Sequence, residues 1–179
     1  MTKRKFLAGA AGALALAGAM FTAAPADAAP ATAPKPVQPV GYYAFGSYYF
    51  NGTKCIDEDS DDSRGDGRKV WTYNCNGSYN QQWAIAPDGS IHSTNDGRCL
   101  SPSATGLGDP APRLEAWGCN GRAEQQWVFY DDGTIRNRLL GTCIQFGLDQ
   151  VNKKGVYTFV AQCNNLAPLQ GWDAHYLHS

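Results

Sequence analysis

From Gly41 onward the apolar residues of this chain come in short runs, several of which alternate with polar ones. In Val70-Trp71-Thr72-Tyr73, Leu114-Glu115-Ala116-Trp117 and Thr158-Phe159-Val160-Ala161, every second residue is small or aliphatic. A strand of that period turns Val70 and Thr72, Leu114 and Ala116, and Thr158 and Val160 toward a core. It projects Trp71 and Tyr73, Glu115 and Trp117, and Phe159 and Ala161 the other way. Asn-Gly and Asp-Gly pairs interrupt the runs at 51–52, 66–67, 76–77, 88–89, 96–97, 120–121 and 132–133, the turn chemistry expected between short strands. No run of helical period exceeds two turns. The pattern predicts an all-β domain.

The runs repeat. Six cysteines, Cys55, Cys75, Cys99, Cys119, Cys143 and Cys163, are separated by 20, 24, 20, 24 and 20 residues. Trp83, Trp127 and Trp172 follow the second cysteine of each pair, and each is preceded two positions earlier by Gln81, Gln125 or Gln170. Asp88-Gly89-Ser90-Ile91 recurs as Asp132-Gly133-Thr134-Ile135, and Gly46-Ser47-Tyr48 reads as a shortened first copy. Three copies of about 44 residues, with four short strands each, fill the chain from residue 41 to its end. One copy cannot bury its own apolar face, so the three are expected to share a core, closed around a threefold axis with few free edges. The repeat also selects a pairing among the fifteen that six cysteines allow: Cys55–Cys75, Cys99–Cys119 and Cys143–Cys163.

The N-terminus reads differently. Lys3, Arg4 and Lys5 precede an apolar Ala/Gly/Leu run from Phe6 to Met20, and Ala26-Asp27-Ala28 is a small-x-small cleavage pattern. Residues 1–28 are therefore expected to be a secretory signal, bacterial in character, and not a membrane span, for which the run is short and lacks a basic stop-transfer flank. Pro30, Pro34, Pro36 and Pro39 make 29–40 a spacer with little to bury. The full chain has 15 basic and 16 acidic residues; removing the signal leaves 12 against 15, a net charge of −3. That balance, without a basic tract, offers no electrostatic footprint for nucleic acid or anionic lipid. Export to an oxidising space suits a disulfide framework, and the chain is expected to be extracellular.

At this point the residues resemble a known family. Gln81-Gln82-Trp83, Gln125-Gln126-Trp127 and Gln170-Gly171-Trp172, phased with Cys55-Ile56-Asp57, Cys99-Leu100-Ser101 and Cys143-Ile144-Gln145, look like the ricin B-chain type of lectin, in a free-standing form covering 41–179. The resemblance implies a β-trefoil whose usual activity is binding galactose-type or xylose-type sugars at up to three sites, with no cofactor.

It also implies which residues touch sugar. The family pattern places an acid two residues after the first cysteine, an aromatic two before the second, and Asn-Gln ahead of the tryptophan. The first copy has all of these: Asp57, Tyr73, Asn80 and Gln81. Asp57 would accept from two vicinal hydroxyls, Tyr73 would stack on the pyranose and Asn80 would bond a hydroxyl. Gln81 would hold Asp57 or touch the sugar edge, and Trp71 could widen the platform. Asp57 has a plainer reading as a solvated loop carboxylate, and the three glutamines as structural hydrogen-bonders. Trp83, Trp127 and Trp172 are expected in the core. The second copy keeps Trp117 and Gln125, with Ser101 and Glu124 replacing acid and Asn, so its site is expected to be degenerate. The third, with Gln145, Ala161 and Leu169, is expected to be lost.

Other chemistry fits poorly. The acidic run Asp57–Asp62 fails as an EF-hand loop, with Asp62 in place of the sixth-position glycine and Arg68 in place of the twelfth-position glutamate; it is expected to be solvated, and no metal site is expected. His92, His175 and His178 sit in no nucleophile or metalloprotease motif. No carboxylate pair is spaced to face across a cleft, so no catalysis is expected. Asn51-Gly52-Thr53 and Asn76-Gly77-Ser78 match the N-glycosylation pattern but carry little weight beside a bacterial signal. The alternative to a lectin is a docking subunit of a secreted assembly such as a toxin complex, with a protein partner on the surface the third copy has freed.

Overall fold

Among the described residues, thirteen strands build one sheet system. A computed structural model describes residues 33–103, 111–147, 155–164 and 168–178; the expected signal, 1–28, lies outside the described residues. β1 (Pro36–Val37) comes first. The first repeat then supplies β2 (Gly41–Ser47), β3 (Lys54–Glu58), β4 (Arg68–Asn74) and β5 (Trp83–Ile85). The second supplies β6 (Ile91–Ser93), β7 (Cys99–Pro102), β8 (Leu114–Trp117) and β9 (Trp127–Tyr130), and the third β10 (Ile135–Asn137), β11 (Cys143–Phe146), β12 (Val156–Ala161) and β13 (Trp172–His178). Helical structure among the described residues is limited to 3-10 turns. Three of these, Tyr79–Gln81, Ala123–Gln125 and Pro168–Gln170, lie just ahead of the repeating tryptophans.

The first and fourth strands of each repeat form the barrel. β2 pairs with β5, β5 with β6, β9 with β10 and β13 with β2, all antiparallel. The two remaining seams are bridged where the Trp127 and Trp172 N–H groups donate to the Gly89 and Gly133 carbonyls, both at 2.9 Å. The second and third strands form the hairpins β3–β4, β7–β8 and β11–β12. These meet one another through β4–β8, β4–β12 and a bridge between Arg113 and Phe159. The fold is a β-trefoil of three repeats.

The predicted faces hold. Val70, Thr72, Leu114, Ala116, Thr158 and Val160 are buried, whereas Trp71, Tyr73, Glu115, Trp117, Phe159 and Ala161 are part-exposed. Trp83, Trp127 and Trp172 are core residues, and each indole N–H donates to a β3, β7 or β11 carbonyl: Ile56 at 3.1 Å, Leu100 at 3.0 Å and Ile144 at 3.0 Å. The ring fills the shared interior while the N–H ties barrel to hairpin, so each is worth on the order of 3–5 kcal/mol against alanine. The three disulfides pair within repeats, with Cα–Cα distances of 5.0, 5.1 and 5.0 Å.

Three details depart from the sequence pattern. Gly46 opposes Cys55 as His92 opposes Cys99 and Arg136 opposes Cys143, so Gly46-Ser47 is not the first copy of Gly89-Ser90 but lies three positions further along. Within the Pro-rich segment, Pro36 and Val37 pair with Tyr130 and Phe129 of β9, and the Lys35 N–H donates to Asp131 Oδ1 at 2.8 Å; this part of the expected spacer extends the sheet. Finally, Gly171 stands where the other repeats have glutamine because a Cβ there would overlap the Tyr48 ring.

Candidate functional site

In the β3–β4 hairpin Asp57 lies opposite Trp71, and Cys55 opposite Tyr73. Alternation puts Asp57, Trp71 and Tyr73 on the outer face, and the Cys55–Cys75 bridge clamps the hairpin end. The turn Tyr79–Gln81 then folds back over the hairpin and delivers Asn80 and Gln81. Asp57, Trp71, Tyr73 and Asn80 line one cleft of about 530 Å³, together with Asp59, Ser60, Asp61, Asn76 and Ser78. The first four were expected from the sequence. The others were not assigned, since they reach the cleft through loops whose path no periodicity specifies.

Asp57 is 3% exposed, which removes its reading as a solvated loop carboxylate. Asn80 Nδ2 donates to Oδ1 at 2.8 Å and Gln81 Nε2 to Oδ2 at 2.7 Å. Burial pushes the Asp57 carboxyl above the usual range; the Gln81 and Asn80 bonds and the nearby Trp71 indole oppose the shift, and the neighbouring Asp59 charge adds to it. A carboxylate has about four acceptor positions. With two used by Asn80 and Gln81, Asp57 keeps about two positions for ligand hydroxyls.

Gln81 is not in the cleft. It is fully buried, its Oε1 accepts from the Asn76 N–H at 2.8 Å, and its Nε2 donates to Asn74 O at 2.8 Å as well as to Asp57. Of its two expected roles only the holding of Asp57 fits. The same scheme recurs in the other repeats. Gln125 bonds Asn120 N and Gly118 O, and Gln170 bonds Asn164 N and Gln162 O. The repeating glutamine staples the turn after each second cysteine, a structural task that accounts for its presence in all three copies. Asn80 is also committed: its Nδ2 lies 3.3 Å from the Glu58 carbonyl besides bonding Asp57, and its Oδ1 accepts from the Ser78 hydroxyl at 2.6 Å.

Trp71 is pinned from another repeat. A Cβ on Gly155 would come 2.6 Å from Trp71 Cδ2, so the third repeat's backbone lies directly against the indole. The neighbouring Glu58 points inward and is fully buried. It meets Arg68 Nη1 at 3.5 Å and accepts from the Ser93 hydroxyl, and burial raises its carboxyl above the usual range. The acidic run is thus not one solvated loop: Asp57 and Glu58 end β3, and Asp59 is buried beside them.

The second repeat offers about 80 Å³ around Ser101, Trp117, Glu124 and Gln125. The Ser101 hydroxyl is turned to Pro102 O at 2.9 Å, the Trp117 indole N–H donates to Glu115 at 2.9 Å, and Glu124 accepts from Asn120 at 3.1 Å. In the third repeat Gln145 accepts from Gln170 Nε2 at 2.8 Å, replacing Asp57 as partner of the staple but supplying no charge. Elsewhere, His92, Cys99 and Cys119 converge within 4.8 Å. The two sulfurs are bonded to each other and have no thiolate to offer a metal. Ser90 Oγ lies 2.7 Å from both Asp88 and His92; the serine stands between acid and imidazole, which is not the order of a nucleophile relay.

This fold and this cleft define a trefoil of the lectin class. The chain belongs to the family of the ricin-type beta-trefoil lectin domain, which it matches over residues 47–172. No curated protein sequence matches it. Among solved structures it is similar to a designed threefold-symmetric protein, ThreeFoil, at 21% identity and TM-score 0.67, covering 76% of this chain and 99% of that one. It is also similar to the β-trefoil lectin of the Vibrio vulnificus hemolysin/cytolysin, solved with N-acetyl-D-lactosamine bound, at 19% identity and TM-score 0.58, covering 79% and 98%. A third is a non-toxic homologue of type II ribosome-inactivating proteins from bitter gourd, Momordica charantia, in complex with α-methyl-D-galactoside, at 23% identity and TM-score 0.60, covering 76% and 48%. At these identities the structures share the fold, and family membership carries carbohydrate binding.

Proposed function

We propose that this chain is a secreted, non-catalytic lectin that holds one galactose-type or related pyranose per molecule in the cleft of its first repeat. The observation that carries the reading is the convergence of Asp57, Trp71, Tyr73 and Asn80 on a cleft of about 530 Å³, against about 80 Å³ at the equivalent place in the second repeat. The aromatic side chains meet the C–H face of the sugar, and hydroxyls donate to the acceptor positions of Asp57 left free, whose geometry Asn80 and Gln81 set in advance. The sugars bound by the bitter gourd and Vibrio proteins favour a galactose-type ligand. Three disulfides and the signal-like residues 1–28 favour export.

A glycan array on the exported protein tests this, followed by retention on a galactose or xylan matrix. Asp57→Ala is expected to abolish retention, while Gln145→Ala leaves it unchanged. Retention of Asp57→Ala equal to that of the parent moves the protein-docking reading to the front, because the surface of the third repeat, bare of acid and aromatic platform, is then the better candidate.

A further inference from the structure

The cleft of the first repeat is charged on one side only. Asp57, Asp59 and Asp61 line it, and no lysine or arginine does. The nearby cations are engaged elsewhere or loosely held. Arg64 grips Asp62 through both Nε and Nη2, at 2.9 and 2.6 Å. Lys69 comes only within 3.9 Å of Asp59, with its side chain 44% exposed. Asp61 makes no ion pair among the described residues and is exposed at the rim. Trp71 and Tyr73 line the same cleft, and ring faces attract cations as carboxylates do. An ammonium group entering here gains from both, whereas a ligand carboxylate meets like charge. A neutral hydroxyl uses the Asp57 acceptor and leaves the remaining field unanswered.

We propose that this cleft selects pyranoses that carry a free amino group over their neutral counterparts and rejects acidic sugars such as uronic acids. The inference rests on reading the cleft as a sugar site. Selectivity resides in Asp59, buried in the cleft wall, and Asp61, exposed at the rim, while Asp57 and the rings hold the ring common to every ligand. The Asp59 charge is felt inside the cleft, since it already raises the cost of ionising Asp57.

Titration calorimetry on the exported protein near pH 6 and low salt tests this with four matched probes: the methyl glycosides of galactose, galactosamine, N-acetylgalactosamine and galacturonic acid. The galactosaminide is expected to bind about tenfold more tightly than the galactoside, the N-acetyl derivative to fall back toward the neutral sugar, and the galacturonide to give no binding. In about 0.5 M salt the preference should weaken, because the exposed Asp61 charge is then screened. In Asp61→Asn the ratio of the two affinities, measured within the variant, should move toward one. Equal binding of galactoside and galactosaminide overturns the charge selection and leaves the sugar site standing, as does binding of the galacturonide or an unchanged ratio in Asp61→Asn. Failure of all four probes overturns both.

Discussion

Two residues decide how the site behaves. Asp57 is buried and its folded-state carboxyl is raised, by desolvation above all. A raised acid stabilises the fold fully below its ordinary unfolded value and loses that contribution as pH rises through the folded one. Its ionised form is nevertheless the one that accepts strongly from sugar. Binding and stability therefore move in opposite directions. On acidification the affinity should fall at a pH above that of an ordinary aspartate, while the Asp57 contribution to stability grows. Parallel calorimetric and denaturant titrations between pH 4 and 7 check this, and a binding curve flat over that window contradicts it. Gly155 is the second residue. Its missing side chain lets the third repeat lie against Trp71, so Gly155→Ala must displace either that ring or the backbone. We expect a loss of stability of about 1–3 kcal/mol and several-fold weaker sugar binding, with all three disulfides still formed. Tryptophan fluorescence and calorimetry on the variant show whether ring and affinity shift together.

The recurring element is a hairpin, a disulfide, and a turn stapled by glutamine to the backbone beside the second cysteine. Its parts serve different ends in different repeats. In the second repeat Gln125 satisfies Asn120 N and Gly118 O from a buried position. Gln125→Ala is expected to cost about 2–3 kcal/mol through unmet backbone groups without touching sugar binding. Gln81→Ala should cost a similar amount and also weaken binding, because Asp57 loses a donor. Equal binding by the two variants, measured well below their melting points, argues against the orienting role. The Cys143–Cys163 bridge closes a loop 20 residues long, so its double serine variant should lose on the order of 3 kcal/mol yet bind normally once folded. Denaturant midpoints paired with calorimetry separate the two effects.

At the scale of the molecule, the proposed site in the first repeat means one ligand per chain. A single shallow site of this kind gives a dissociation constant of about 1 mM, roughly −4 kcal/mol. A monovalent binder gains no avidity. The protein should be retained on a dense sugar matrix but should not agglutinate cells unless it oligomerises, which a haemagglutination assay beside sedimentation analysis decides. Pseudo-threefold symmetry also separates stability from function. Trp83, Trp127 and Trp172 tie barrel to hairpin in the same way in all three repeats, so each repeat holds the fold whether or not it binds a ligand.

The sequence by itself determined the all-β class, the three repeats, the strand faces and the disulfide pairing. These follow from period, spacing and turn chemistry, quantities that residues in a single line carry, and the copies check one another. It also singled out Asp57, Trp71, Tyr73 and Asn80, because the first copy alone combines them. What the tertiary structure decided is how each polar group spends its bonding capacity. The identity of Gln81 permits a sugar contact; only its neighbours, Asn74, Asn76 and Asp57, show that no donor is left. The acidic run reads as solvated in sequence, yet β3 extends to Glu58 and carries Asp57 and Glu58 out of solvent. Likewise Gly155 and Trp71, 84 positions apart, meet only because the hairpins of different repeats close around one axis. Burial and hydrogen-bond saturation are properties of surroundings, and those surroundings come from segments that no local pattern connects.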